Sequence, residues 1–329
     1  MPETARVILL SEVNSKLGEP FLDMLHHHPL TDLAAVVTSP PGKLCDYFVA
    51  DERQVDLEAQ AKTLGVPVLR PKSVNAPEVV ARLRALEPDY LIVGNFQQIL
   101  KADLLAVPKV TSVNFHPSPL PRYAGLAPFY WMVRNGETDG AVTAIEMAAG
   151  VDTGAVLAQH ATPLTGRETA LELRTVQERA NVLMLLDLIP QLAARTFTRT
   201  PQDPSERTYF TRPGPDDYRL DFAYPAHKVA CHVRAGYRHP GAFARTRDGR
   251  TVTILSVGEP VVGPGEPPAP GLVRTTSEGV FVGCCDAWLR VLTVDRDGRE
   301  TPAQTSDVLV DGRMLESSGT AEVAEEVLA

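Results

Sequence analysis

Between Arg6 and Phe115 short β-rich runs alternate with helical runs, and this alternation constrains the fold more than any other feature of the chain. Arg6–Leu10 reads as a buried first strand, Glu19–His28 as a helix stopped by Pro29, and Leu33–Thr38 as a second strand. A helix over Gln54–Leu64, a short strand at Pro67-Val68-Leu69 and a helix over Ala76–Leu86 follow. The β-rich runs Asp89–Val93 and Val110–Phe115 complete the series. Strands separated by helices of roughly 10–15 residues pair in parallel, with helices on both faces of the sheet. Ligands of such sheets sit beyond the carboxyl ends of the strands. The pattern therefore directs attention to Asn114–Gly125.

The chain continues with a helix over Pro128–Asn135, strands over Ala141–Met147 and Ala155–Thr162, and a long amphipathic helix over Thr169–Ile189. Thr196–Pro215 then gathers Pro201, Pro204, Pro213 and Pro215 among polar residues and reads as a linker. Beyond it lie one helix, Ala226–Arg234, and five β-rich runs: Ala242–Thr246, Thr251–Val257, Gly271–Thr275, Val280–Cys284 and Trp288–Val294. A proline- and glycine-rich loop, Val261–Pro270, separates two of them, and the last dozen residues read as a surface helix or a frayed tail. Short strands with glycine-rich turns suggest a small barrel. At 329 residues two domains are expected: 1–195, a linker over 196–215, and a barrel-like domain over 216–329.

The function classes that composition excludes are few but useful. A net charge of −9 lacks the footprint of a general nucleic-acid binder, although a local patch within the arginine-rich Arg207–Arg250 segment would suit an anionic acceptor. Cys45, Cys231, Cys284 and Cys285 form no C-x-x-C pair, so reduced thiols in a cytoplasmic protein are expected. Cys284 and Cys285, placed in a strand, would face opposite sides as packing residues. No apolar run reaches ~18 residues, and no signal-type segment leads the chain. His26, His27 and His28 point in different directions on a helix, so no metal site is expected. The stretch after the first strand, Ser11–Gly18, holds one glycine and fails the G-x-G-x-x-G dinucleotide fingerprint.

The chemistry concentrates in Val113–Asp152. Asn114 and His116 are two apart at a strand end and share a face. Pro117, Pro119 and Pro121 stiffen the loop that follows, and Gly150 and Gly154 flank Asp152. An amide, an imidazole and a carboxylate suit acyl transfer without a covalent intermediate: two donors for a developing oxyanion, and a carboxylate to orient the ring and take a proton. No Ser or Cys stands beside them with an obvious base. Singly, each residue has a bland explanation as a turn former, a surface histidine or an ordinary turn. The residues alone mark a site and leave its chemistry open.

The joint pattern Asn114-x-His116-x-Ser118-x-Leu120-Pro121-x-Tyr123-x-Gly125, with Gly150-x-Asp152-Thr153-Gly154 downstream, resembles the formyltransferase family that uses 10-formyltetrahydrofolate. Gly94–Leu100 (GNFQQIL) is similar to that family's strand-to-loop segment beside the folate. Thr208–Phe222 is similar to the entry into its second domain, with Phe222 where a Trp is common. The resemblance covers most of the chain and implies a Rossmann-like α/β domain with a parallel-rich sheet, then a small β-barrel-like (OB-like) domain. It implies Asn114 and His116 as ligands of the formyl oxygen and Asp152 as the aid to proton removal. Phe96, Gln98, Ile99, Leu100 and Val151 would hold 10-formyltetrahydrofolate, and Ser118, Arg122 and Tyr123 would meet the acceptor. No metal is implied, and homodimerisation is left open.

For the acceptor, the sequence departs from the family's tRNA enzyme. That enzyme's loop after the second strand is rich in Lys, Arg and Gly, whereas Ser39–Asp56 sets Lys43 and Arg53 against Asp46, Asp51, Glu52 and Asp56. Ala124 stands where the tRNA enzyme usually has Arg, and Tyr47 and Phe48 offer aromatic faces to a small ligand. A small-molecule amine is therefore expected: an amino-sugar nucleotide first, N-hydroxyornithine next, initiator tRNA third. Hydrolysis of the formyl donor is the further alternative. The family's hydrolases usually carry a regulatory domain ahead of the catalytic one, and a first strand at Arg6 is expected to leave no room for it. A silent binding module would need a broken triad, and all three positions are intact.

Overall fold

The structure is a computed structural model that describes residues 4–46, 53–238, 240–262 and 268–317. Tyr47, Phe48, Asp51, Glu52, part of the Val261–Pro270 loop and the last dozen residues lie outside the described set. The chain divides into two compact units. One comprises Met1–Gly125, Asp139–Pro163 and Arg174–Phe210, and the other Leu126–Thr138, Leu164–Leu173 and Thr211–Ala329.

The first unit is built on a seven-stranded sheet in the order β3-β2-β1-β4-β5-β7-β8. Its strands are β1 (Ala5–Leu10), β2 (Thr31–Val37), β3 (Val68–Leu69), β4 (Tyr90–Gly94), β5 (Thr111–His116), β7 (Asp139–Glu146) and β8 (Val156–Pro163). The first five pair in parallel, β7 pairs antiparallel with β5, and β8 pairs antiparallel with β7. The run Val7-Ile8-Leu9-Leu10 is apolar throughout because both faces of β1 are buried. Val7 and Leu9 join one core with Phe21 and Phe115, while Ile8 and Leu10 join the other with Leu91 and Leu104. Phe21, from the helix Gly18–His27, meets Phe115 edge-on at 4.9 Å, fixing that helix against β5. Strand order reverses between β1 and β4, so their carboxyl ends open the crevice at which ligands of this architecture sit.

Element boundaries move by a few residues from those expected, and three differences have physical causes. The long helix runs Ala170–Ala194, through Pro190. Pro190 and Leu186 both lie on the exposed side, so the carbonyl that loses its partner faces water rather than the core. The helix ends where Arg195 turns left-handed at φ 55°. Cys284 and Cys285 fall just past a strand that ends at Gly283, so no alternation across a sheet applies to them; burial pushes the Cys284 thiol up. The short strands β6 (Ala124–Gly125) and β9 (Tyr209–Phe210) went unread because two-residue pairings leave no periodicity.

In the second unit, β10 (Ala242–Arg245), β11 (Thr251–Val261), β12 (Val273–Thr276), β13 (Gly279–Gly283), β14 (Trp288–Arg296) and β15 (Arg299–Pro302) form an antiparallel sheet. Its two ends are joined by the 313–316 segment. Leu315 bridges to Thr246 just after β10, and Met314 bridges to Leu272 just before β12. That closure makes the sheet a small barrel, packed around Ile254, Val280, Leu289 and Leu309. The helix Ala226–Gly236 packs on it and buries His232, which is 4% exposed. Burial, helped by the Arg134 charge, holds His232 down to about 3.

This depression has a consequence for stability. The unfolded chain takes up a proton near pH 6.5 that the folded unit refuses until about 3, so stability is complete above ~6.5 and falls as pH drops through that window. The expected slope is about 1.4 kcal/mol per pH unit, read from urea midpoints at pH 4.5 and 7, and His232→Gln should flatten it. An unchanged slope in the variant would rule out His232 as the source.

Candidate active site

Asn114 and His116 occupy the carboxyl end of β5, opposite Ile145 and Thr143 of β7. Val113 and Phe115 alternate with them into the core, which turns the two polar side chains to the other face. Asn114 is half-buried, and its carboxamide forms no hydrogen bond among the described residues. His116 is 6% exposed. Its Nε2 stands 3.0 Å from the Tyr123 carbonyl, and its Nδ1 stands 3.6 Å from Asp152 Oδ2.

The loop between them is braced from within. Thr143 Oγ1 donates to the Ser118 carbonyl at 2.6 Å and accepts from Gln159 Nε2 at 2.9 Å. Gln159 Nε2 also donates to the Leu120 carbonyl at 3.0 Å. Ser118 is fully buried and its hydroxyl donates to the Arg122 carbonyl at 3.1 Å, so this side chain is committed to the loop. Tyr123 is 4% exposed, sits at φ 57°, and stacks on Phe210 with ring centroids 5.2 Å apart. Its carbonyl, rather than its hydroxyl, is the group that faces the His116 ring. Arg122 is half-buried, with Nη2 3.4 Å from the Asp139 carbonyl.

Asp152 lies in a turn between β7 and β8 at φ 53°, a left-handed conformation that Asp adopts more readily than most residues. Its Oδ2 accepts the Gly125 N–H at 2.9 Å, so one carboxylate oxygen is anchored to the end of the His116 loop. The turn's carbonyls are occupied too. Gln202 Nε2 donates to Asp152 O at 2.9 Å and to Gly154 O at 2.7 Å. Arg207 donates to Val151 O at 2.8 Å and to Asp152 O at 3.3 Å. Gly154 passes so close to β7 that a Cβ there would lie 1.6 Å from the Glu146 carbonyl oxygen.

The segment after β4 borders the crevice. Ile99 is 71% exposed and Val151 45% exposed, so both are open to a ligand. Phe96 is half-buried, whereas Leu100 belongs to the core. Gln98 Oε1 accepts the Val74 N–H at 3.0 Å and is thereby turned toward the protein. Glu12, just past β1, is 1% exposed; its backbone N–H donates to Asn95 O and its Oε1 accepts the Gln97 N–H at 2.8 Å. Among the described residues no group of three or more His, Cys, Asp or Glu is placed to hold a metal. No described helix is long and apolar enough to cross a membrane.

Sequence reasoning gave no role to Glu12, Thr143, Gln159 or Gln202, and read Arg207 only as the start of an arginine-rich segment suited to an anionic acceptor, whereas its guanidinium meets turn carbonyls. Gln202 and Arg207 sit in a proline-rich polar stretch, and nothing local announces that their partners lie about fifty residues earlier. Thr208 was noticed only within a longer resemblance; its Oγ1 accepts the Tyr123 N–H at 2.8 Å.

With its polar groups at strand ends beside the switch in strand order, the first unit has the form of a ligand-binding α/β domain. The chain belongs to the formyl transferase family: the formyl transferase model matches residues 5–188, and the formyl transferase C-terminal domain model matches 214–306. A methionyl-tRNA formyltransferase from Geobacter metallireducens is 34% identical over 273 residues, covering 82% of this chain and 85% of that protein. One from a Synechococcus strain is 34% identical over 264 residues, covering 78% and 80%. Among solved structures, an N-formyltransferase from Helicobacter canadensis with folinic acid and dTDP-3-aminofucose has a TM-score of 0.65. It is 17% identical, covering 88% of this chain and 99% of that one. A 4-N formyltransferase from Francisella tularensis has a TM-score of 0.60 at 16% identity, covering 76% and 96%. At those identities the likeness is one of fold. The protein is a formyltransferase with the two-domain architecture of its family.

Proposed function

We propose that this enzyme moves the formyl group of 10-formyltetrahydrofolate directly to an amine nitrogen of a small molecule, with no covalent enzyme intermediate. The observation that carries this reading is the facing pair His116 Nδ1 and Asp152 Oδ2, 3.6 Å apart, with the Asn114 carboxamide on the same strand face as the ring. Nε2 faces the Tyr123 carbonyl and Nδ1 faces the carboxylate, so neither ring nitrogen is free for the formyl oxygen, and His116 acts with Asp152 on the amine proton in place of the oxyanion role expected of it. The pair is thereby ready to receive the proton that the attacking amine loses. Asn114 supplies an uncommitted donor to the formyl oxygen as negative charge gathers there. The Ser118 hydroxyl, in the loop, is committed to the Arg122 carbonyl and makes no acyl acceptor.

Phe96–Ile99 and Val151 are the residues offered to the folate, with the exposed Ile99 and Val151 as apolar walls and Gln98 acting through its loop; Leu100, expected among them, is buried in the core and backs the loop instead. Asn114→Ala should lower kcat by about 10²–10³ while leaving donor KM little changed. Stopped assays with saturating amine would decide it, and a loss confined to KM would remove Asn114 from the oxyanion role.

The small-molecule acceptor rests on charge. In the loop after β2, Arg53 is paired with Glu19 at 2.6 Å and Asp56 caps the helix Leu57–Thr63 through the Ala59 N–H, leaving no cationic cluster among its described residues. An amino-sugar nucleotide is the first candidate and N-hydroxyornithine the second. Initiator tRNA is the competing reading, favoured by 34% identity to methionyl-tRNA formyltransferases. Incubation with 10-formyltetrahydrofolate and all three acceptors, with products read by mass spectrometry, should formylate a small amine. Transfer to charged tRNA alone would overturn this choice, and formate release without acceptor preference would favour hydrolysis.

A further inference from the structure

We propose that Gln202 and Arg207 are positioning residues: together they aim the Asp152 carboxylate at His116. This rests on the reading of Asp152 as the group that helps remove the amine proton. A left-handed turn leaves its carbonyls outside any strand ladder, where water would ordinarily take them and the turn would breathe. Here side chains take them instead. The Gln202 carboxamide straddles the Asp152 and Gly154 carbonyls, and the Arg207 fork spans those of Val151 and Asp152. The Asp152 carbonyl thus receives two donors. Gln202 Oε1 is buried with no partner among the described residues, so the two turn carbonyls alone orient the amide.

One residue further on, the same segment holds the other half of the site. Thr208 Oγ1 accepts the Tyr123 N–H, the Thr208 carbonyl accepts the Ala124 N–H at 3.0 Å, and β9 pairs in parallel with β6. Tyr123 is the residue whose carbonyl faces His116 Nε2. Between Gln202 and Thr208, therefore, one strap grips the backbone on both sides of the 3.6 Å gap between ring and carboxylate. Neither strap side chain touches the gap itself. Their effect must pass through where Asp152 sits.

The test is a double-mutant cycle. Gln202→Met removes the donors while keeping length, and Arg207→Met removes the fork; Arg207→Lys keeps the charge and should give an intermediate loss. Gln202→Met and Arg207→Met are each expected to lower kcat about 10–100-fold, with donor and acceptor KM within about twofold of wild type. In an Asp152→Asn background the same substitutions should cost less than about twofold more, because the group they act through is already gone. Should Gln202→Met fail to fold, Arg207→Lys in both backgrounds carries the same comparison. An equal loss in the two backgrounds, or a loss confined to KM, overturns the proposal while leaving the formyl-transfer reading intact. A wild-type protein that formylates no amine removes both together.

Discussion

Asp152→Asn is expected to lower formyl transfer by about 10²–10⁴-fold, the usual contribution of a positioned general base. The substitution changes little in shape. The amide oxygen can still accept the Gly125 N–H that Oδ2 accepts at 2.9 Å, so the turn should keep its place and the thermal midpoint should barely move. What disappears is the charge beside His116 Nδ1 and the lone pairs that would receive the amine proton. His116→Ala, which removes the other half of the pair, and Asp152→Ala should go further and abolish measurable turnover in a protein that still folds. Single-turnover rates at saturating donor and acceptor, with circular dichroism melts alongside, make the measurement. Near-normal turnover in either variant would end the assignment.

Gly154→Ala is the second large effect, and it comes from geometry rather than charge. A Cβ at this position would stand 1.6 Å from the Glu146 carbonyl oxygen and 2.8 Å from its carbon. Both are backbone atoms of β7, whose Glu146 N–H is also bonded to the Ala155 carbonyl at 2.9 Å, so neither can swing aside as a flexible side chain would. The turn must shift instead, and Asp152, two residues away, shifts with it. The expected cost is about 3 kcal/mol or more in stability, with transfer falling at least as far as in Asp152→Asn. Gly166→Ala is the control: its φ of 77° disfavours a side chain, but nothing lies within 4 Å, so only about 1–2 kcal/mol and no loss of kcat are expected. Equal effects of the two substitutions on kcat would refute the close-approach argument.

How legible the site was depended on the distance over which each part is specified. Asn114 and His116 were readable because strand alternation fixes their common face, and the apolar Val113 and Phe115 between them say which face is core. Asp152 was readable through its flanking glycines, although its φ and its anchor on Gly125 were not. Of the residues expected to meet the acceptor, Ser118 donates to the Arg122 carbonyl and Tyr123 turns its carbonyl to His116, contacts that no spacing announces. Five of the barrel's strands were visible, but β15 was not, and neither was the closure, because Met314 and Leu315 join it by single bridges.

By itself the sequence determined the α/β class, the two buried faces of β1, the barrel-like second part and the pairing of an amide with an imidazole at a strand end. These follow from short periodic patterns, where burial repeats every two or every three to four residues. Only the tertiary structure decided that Gln202 and Arg207 hold the Asp152 turn, that Thr208 holds the Tyr123 loop, and that ring and carboxylate stand 3.6 Å apart. The ring and carboxylate are 36 residues apart, and the Gln202, Arg207 and Thr208 contacts join side chains to backbone groups about fifty to eighty-five residues away, groups that every residue offers alike. A donor in a proline-rich stretch carries no local mark of which carbonyl it will find; the folded chain supplies that by bringing them together.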